Sequence, residues 1–339
     1  MWMKKSVVRF SEQKWLEGRK IFYEWTDFSI WPDGSQKILS KELWEMMSCN
    51  VTSPSVQYGL TSFEWIIGYG VEKDKAHKIS IVRLDDHVDR IFHSVNRLNT
   101  RIDYTKEQIR EAIVRAAQQH RGAEKIYFRP TSRTDQINYG IDVSKMPFQE
   151  FLVAAGPFDY LQTGLKLTTA PGEDLEKLST GAGYLDAKIT WQYANGAKGK
   201  WFANRAGCND ALLCHKGNIL ELSGANVIGF KGDSYVATPS SKHIFAGLTR
   251  DIVIQLLKIE KNICVQEMDI SLDAALKNFD SWCAVGTAAE IKDIKEIDGV
   301  TFSPSPLSQW VQKAYQDIVR GNTQHYKGHE LYQTRITVV

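Results

Sequence analysis

At 339 residues, with 43% apolar and 24% charged side chains, the chain has the composition of a folded globular protein and the length for two cores. Its 42 Lys and Arg nearly balance 40 Asp and Glu, and the net charge of +2 gives no general pull toward nucleic acid. Any anion site must therefore be local. The five cysteines (Cys49, Cys208, Cys214, Cys264, Cys283) are odd in number and lack CxxC spacing, which points to a reducing cytoplasm.

The N-terminus, MWMKKSVVRFSEQKW, meets charged residues before any apolar run of signal-peptide length and reads as part of the mature protein. No stretch approaches the ~20 apolar residues that span a bilayer. Asn50-Val51-Thr52 matches a glycosylation sequon, but without an export signal it reads as a chance match.

Residues 1–55 are rich in Trp and irregular in period, and support a strand or two. Apolar runs at 63–69 and 78–84, separated by polar Glu72-Lys73-Asp74-Lys75, predict a strand pair. A helix follows, with Asp85 or Asp86 as its cap and Val88, Ile91, Phe92, Val95 and Leu98 on one face. Thr105 and Gln108 form a capping box for a second helix carrying Ile109, Ala112, Ile113 and Ala116, which Gly122 should stop. A strand resumes at Ile126, and Gly156-Pro157 reads as the start of an interdomain linker.

Strand signal returns at 165–169, 210–215, 219–222, 225–230, 263–268 and 282–285. Helices are expected at about 193–206, 249–260 and 307–318. The class is α+β in two domains, 1–155 and 165–339, joined by 156–164. No repeat is present.

Pyridoxal chemistry needs a Lys amine for a Schiff base, an acid to keep the pyridine nitrogen charged, and donors for a dianionic phosphate. Lys188 precedes Tyr193 by five residues, and Tyr193 heads the helix that ends at Ala206-Gly207. There follow Gly217-Asn218-Ile219-Leu220-Glu221, Ser223-Gly224-Ala225-Asn226, Thr238-Pro239, Gly247-Leu248-Thr249-Arg250 and Gly286-Thr287-Ala288-Ala289-Glu290. In order and spacing this series resembles the class IV pyridoxal-phosphate aminotransferases, which include branched-chain aminotransferases, D-amino-acid transaminases and aminodeoxychorismate-type lyases. Upstream, Tyr58-Gly59 with Phe63-Glu64, Asp86-His87-Val88-Asp89-Arg90 and Tyr127-Phe128-Arg129-Pro130 are similar to the family's motifs, so the resemblance covers residues 55–300.

The resemblance implies a smaller N-terminal α/β domain, a larger C-terminal domain, pyridoxal 5′-phosphate at their interface and a homodimer. Amino-group transfer between an amino acid, branched-chain in type, and a 2-oxo acid would follow; the D-specific and lyase outcomes share the cofactor. Lys188 would carry the cofactor and be catalytic. Arg90, Tyr193, Glu221, Asn226, Leu248, Thr249 and Thr287 would bind it, with Glu221 on the ring nitrogen. Tyr58, Phe63, Trp65, Tyr127, Arg129, Ala288 and Ala289 would meet substrate. Read alone, Arg90 could instead sit on an exposed helix face paired with Asp86 at i,i+4. His87 reads as structural, and His325 with His329, in a polar tail, does not read as a metal site.

Two registers are open for the lysine. Counting back from Tyr184 in Gly181-Ala182-Gly183-Tyr184 gives Ser179, and a non-catalytic protein on the same fold; counting back from Gly207 gives Lys188, without an insertion, and is preferred. In that register Ile189-Thr190-Trp191 replaces small residues. Trp65 and Ile67 likewise stand where branched-chain enzymes usually have Gly and Arg, leaving a narrower, more aromatic side-chain pocket.

Overall fold

A computed structural model of the chain describes residues 3–10, 26–30, 36–37, 51–73, 76–100, 102, 104–120, 122–134, 142, 150–157, 164–170 and 186–339. It divides into two compact units: Met1–Asp159 with Ala187–Trp191 and Arg335–Val339, and Tyr160–Asp186 with Gln192–Thr334.

The first unit holds an antiparallel sheet. Its strands are β1 (Met3–Phe10), β2 (Thr26–Ile30), β3 (Gln36–Lys37), β4 (Ser62–Phe63), β5 (Ile66–Lys73), β6 (Ala76–Val82), β7 (Lys125–Arg133) and β8 (Glu150–Pro157). The C-terminal strand, β18 (Ile336–Val338), pairs with β6, giving the order β18-β6-β5-β7-β8-β1-β2-β3 with β4 beside β7. Gly156 and Pro157, read above as linker, belong to β8 and pair with Tyr127 and Ile126.

A short helix, α1 (Pro54–Gln57), precedes β4, and two long ones, α2 (Leu84–Arg97) and α3 (Lys106–Gln119), cover one face of this sheet. Alternation in β5 and β7 drives Ile66, Ile126 and Phe128 into the core against Val88 and Ile91 of α2 and Ile109, Ala112 and Ile113 of α3. Each large apolar side chain buried this way contributes roughly 1.5–3 kcal/mol. The alternate residues Trp65, Ile67, Tyr127 and Arg129 share the opposite face, because Ile67 pairs with Tyr127. That period-2 alternation places the candidate substrate residues.

The capping box of α3 is present in both directions: Thr105 Oγ1 accepts from the Gln108 N–H, and the Thr105 N–H donates to Gln108 Oε1. The start of α2 differs from expectation. Its N-cap is Arg83, at φ +52°, and Asp85 and Asp86 lie inside the first turn without capping it. Asp86 instead accepts two hydrogen bonds from the Arg83 guanidinium, which hold its carboxyl below the ordinary range.

The second unit holds a mixed sheet. Its strands are β9 (Leu165–Thr169), β10 (Asp210–His215), β11 (Asn218–Leu222), β12 (Asn226–Lys231), β13 (Tyr235–Pro239), β14 (Gln266–Met268), β15 (Ser281–Gly286), β16 (Glu290–Ile297) and β17 (Val300–Thr301). They run β11-β10-β9-β16-β15-β12-β13-β14, with β17 on β16. Helices α4 (Tyr193–Arg205), α5 (Leu248–Lys261), α6 (Leu272–Lys277), α7 (Pro306–Val319) and α8 (His329–Thr334) accompany it. Leu167, Leu212, Val227, Trp282 and Ile294 form its main core. The tail therefore continues past the helix expected at 307–318. Among the described residues no helix is long and apolar enough to cross a membrane.

Candidate active site

In the first unit, α2 turns His87, Arg90 and Ser94 toward β4 and the Lys188 segment, at i, i+3 and i+7. Lys188 is fixed through its backbone: its N–H donates to Ser94 Oγ at 2.9 Å, and its carbonyl accepts from the Phe63 N–H at 3.2 Å. The flanking residues Ala187 and Ile189 are fully buried. The Lys188 side chain is half-buried, with Nζ 5.0 Å from the centroid of the Phe63 ring.

The bulky residues after Lys188 have defined places. Ile189 bridges Ser62, and the Thr190 N–H donates to the Thr61 carbonyl. Thr190 Oγ1 donates to the carbonyl of Gly59, the residue after Tyr58, at 2.6 Å. Gly59 has φ +65° and so little room that an added Cβ would lie 3.2 Å from Trp191 Cβ. Ser179, Gly181 and Tyr184, which carry the other register, lie outside the described residues.

Arg90 faces Glu64 rather than Asp86. Its Nε and Nη2 donate to the two Glu64 oxygens at 2.6 and 2.7 Å, and His87 Nδ1 lies 2.8 Å from Oε2. The carboxylate can only accept here, so His87 presents Nδ1–H to it. Burial alone would raise the Glu64 carboxyl; the charge and hydrogen bonds of Arg90, with those of His87, outweigh it and hold the group well below the usual range. Burial pulls His87 down, against the raising effect of Glu64. In the sequence Glu64 stands only as part of the Phe63-Glu64 motif, with no role in the site, and Ser94 is not singled out. The available signals were a carboxylate within an apolar strand-like run, and a small polar residue on the apolar face of α2.

The opposite sheet face gathers Phe63, Trp65, Tyr127 and Arg129. The Arg129 guanidinium lies 4.6, 4.7 and 5.3 Å from the ring centroids of Phe63, Trp65 and Tyr127, and its Nε donates to the Tyr127 hydroxyl. Trp65 and Tyr127 stack at 4.5 Å. Burial pushes the Tyr127 phenol up to about 12, against the Arg129 charge, so it keeps its proton and can donate onward while accepting from Arg129.

In the second unit, Glu221 of β11 is held by neighbours from two directions. Asn226 Nδ2 donates to Glu221 Oε2 at 3.0 Å and to the Phe245 carbonyl at 2.8 Å, and the Phe245 N–H donates to the same Glu221 oxygen at 3.3 Å. Gly247 caps α5, whose first internal bond runs from the Asp251 N–H to the Gly247 carbonyl. The N–H groups of Leu248, Thr249 and Arg250 thus carry no intrahelical bond, an arrangement suited to an anion. Arg250 itself turns away to Glu267, at 2.6 Å, and to the Pro239 carbonyl.

Thr287, Ala288 and Ala289 form the turn between β15 and β16, closed by the Gly286–Glu290 pair. A Cβ on Gly286 would come within 3.2 Å of Ala225 Cβ, so this turn lies beside the 223–226 turn. Tyr193 opens α4, whose Gly196 packs so closely on that same turn that a Cβ would meet the Ser223 carbonyl at 2.4 Å. Ser223 Oγ and Asn195 Oδ1 are buried without a hydrogen-bond partner among the described residues. No cluster of His, Cys, Asp or Glu among the described residues forms a metal site, and His325 lies 3.7 Å from Asp317.

Each unit holds groups that suit pyridoxal phosphate: a lysine amine and an anchored guanidinium in the first, and an oriented carboxylate, a helix N-terminus with a threonine and, among the described residues, unpartnered buried polar atoms in the second. A family model described as amino-transferase class IV matches residues 74–297. The chain belongs to the class IV aminotransferases. It is accordingly a pyridoxal-phosphate enzyme that transfers amino groups. Among similar class IV proteins, the branched-chain-amino-acid aminotransferase of Pseudomonas aeruginosa is 28% identical over 315 residues, 88% of this chain and 95% of that one. A branched-chain aminotransferase from Thermoproteus uzoniensis, solved with norvaline, shares the fold at TM-score 0.78 and 24% identity, covering 100% of this chain and 99% of that one. The T.th. branched-chain amino acid aminotransferase, complexed with N-(5′-phosphopyridoxyl)-L-glutamate, superposes at TM-score 0.76 with 25% identity over 90% of this chain and 96% of that one.

Proposed function

We propose that this class IV aminotransferase exchanges the amino group of an aliphatic amino acid of branched-chain type with a 2-oxo acid such as 2-oxoglutarate, using Lys188. The observation that carries the reading is the seating of Lys188, backbone-bonded to Ser94 and Phe63, with its amine over the ring that also carries Arg129. The names of the similar proteins support the substrate class, including the glutamate adduct of one of them.

When bound, pyridoxal phosphate supplies an electron-accepting ring that acidifies the substrate α-carbon. Lys188 would be the base that takes the α-carbon proton and the acid that delivers it to the cofactor carbon bearing the transferred nitrogen. Glu221, oriented by Asn226 and Phe245, would keep the ring nitrogen charged by ion pairing, and Tyr193 is assigned to the cofactor by the resemblance. Leu248, Thr249, Thr287 and Arg90 would hold the phosphate; Arg90 is aimed by Glu64, which takes one edge of its guanidinium fork.

Ala288 and Ala289 meet the α-carboxylate, while Tyr58, Phe63, Trp65, Tyr127 and Arg129 form the side-chain wall, in which Arg129 receives a second carboxylate when glutamate is the donor. The free thiols of Cys208, Cys214, Cys264 and Cys283 support a reducing cytoplasm, and a homodimer belongs to the same reading. A coupled assay of leucine with 2-oxoglutarate tests it: wild type forms glutamate and Lys188→Ala does not. Activity that survives in Lys188→Ala overturns it.

A further inference from the structure

Arg129 is half-buried, and among the described residues no carboxylate lies within ion-pair distance of it. Its neighbours are three aromatic rings at 4.6–5.3 Å and one phenol oxygen, an environment that removes water from the faces of the guanidinium without neutralising it. A cation fixed in this way keeps the attraction for an anion that a solvated arginine dissipates. Phe63 and Tyr127 also have other roles, in seating Lys188 and in donating a hydrogen bond to substrate. The Trp65 ring packs on both members of the clamp, tilted against Tyr127 at a centroid distance of 4.5 Å and 4.7 Å from the Arg129 guanidinium.

We infer that Trp65 is a positioning residue that fixes Arg129 as a receptor for a side-chain carboxylate, so that it sets the preference for dicarboxylic over aliphatic substrates. The inference rests on the proposed function and deepens it. Because Lys188 Nζ and Arg129 Cζ lie 5.0 and 4.6 Å from one Phe63 centroid, they are no more than about 10 Å apart. A short dicarboxylic amino acid, with its amine at the lysine, can therefore reach the guanidinium. The indole also occupies room over the sheet, which limits bulk in the same pocket.

The test compares Trp65→Leu, Trp65→Phe and a distant control, Trp201→Leu, on the holoenzyme; Trp201 is 52% exposed in the second unit. In Trp65→Leu, KM for glutamate and Kd for glutarate, measured by titration calorimetry, should each rise about 3- to 10-fold, and kcat/KM for glutamate should fall relative to that for leucine. Trp65→Phe should recover most of the loss, and Trp201→Leu should match wild type. Unchanged glutarate binding in Trp65→Leu, equal losses for glutamate and leucine, or no rescue by phenylalanine would each overturn the inference. Glutarate binding in a wild-type protein that transfers no amino group would overturn the functional reading alone, since the titration still reads the clamp.

Discussion

Arg90 closes on Glu64 with two hydrogen bonds of 2.6 and 2.7 Å, and Glu64 is fully buried. A guanidinium tied in this way is oriented before any phosphate arrives, so with Arg90 in its proposed role Glu64 would act on cofactor binding without touching the cofactor. His87 completes the arrangement from the same helix.

Removing the charge at this position has a predictable cost. Glu64→Gln leaves Arg90 and His87 buried with a neutral partner, and breaking a buried pair costs about 3–5 kcal/mol. Urea unfolding of the apoprotein should show a loss of that order, and the apparent Kd for pyridoxal phosphate should rise about tenfold. Unchanged cofactor affinity would show that Arg90 needs no anchor.

Acid should unfold the first unit in two stages. The Glu64 carboxyl is depressed in the fold, so its stabilisation is complete above its ordinary value near 4.5 and is lost as pH falls below that. His87 is also depressed, because burial disfavours its charge; the unfolded chain takes up a proton below about 6.5 that the folded chain refuses. Stability should therefore decline from about pH 6.5 downward, then more steeply below 4.5. His87→Gln should flatten the first slope and leave the second.

Gly247 sets the distance between the start of α5 and Asn226. A Cβ there would lie 2.2 Å from Asn226 Oδ1, and the Asn226 amide cannot turn without releasing Glu221 and the Phe245 carbonyl. Gly247→Ala should thus weaken cofactor binding about tenfold while costing only about 1–2 kcal/mol in thermal unfolding, the worth of one or two hydrogen bonds. A variant equal to wild type in both measurements would show that Asn226 is free to move.

The C-terminus closes a sheet edge. Ile336, Thr337 and Val338 pair with Val82, Ile81 and Ser80, Val339 exchanges both backbone bonds with Ile79, and the Arg335 carbonyl accepts from the Arg83 N–H at the start of α2. Deleting 335–339 should expose the β6 edge, lower the melting temperature and promote association visible by light scattering. A monodisperse truncated protein that melts with wild type would contradict this.

Much of the second unit can be read from local pattern. Leu165–Thr169 and Asp210–His215 match their apolar runs residue for residue, and the helix expected at 249–260 is Leu248–Lys261. β16 escaped because Ile291, Ile294 and Ile297 are spaced three apart, a helical period in a strand. The pairing with β9 shifts between Ile294 and Glu296, which brings Ile294 and Ile297 onto one face opposite Leu165 and Leu167, while Ile291, in unbroken register with β15, is buried on the other. The partners of Glu64 lie 23 and 26 residues away, and those of β18 about 255 residues away, so neither leaves a local trace. Motif order pointed to Lys188, Glu221, Arg90 and Asn226, but gave no role to Ser94, Phe245 or Glu64 in aiming them.

In the proposed function Lys188 carries the cofactor. Purified protein with pyridoxal phosphate should show a visible absorption band that borohydride removes, and peptide mapping should find the reduced label on Lys188. A label on another lysine, or a band that persists in Lys188→Ala, would contradict the account.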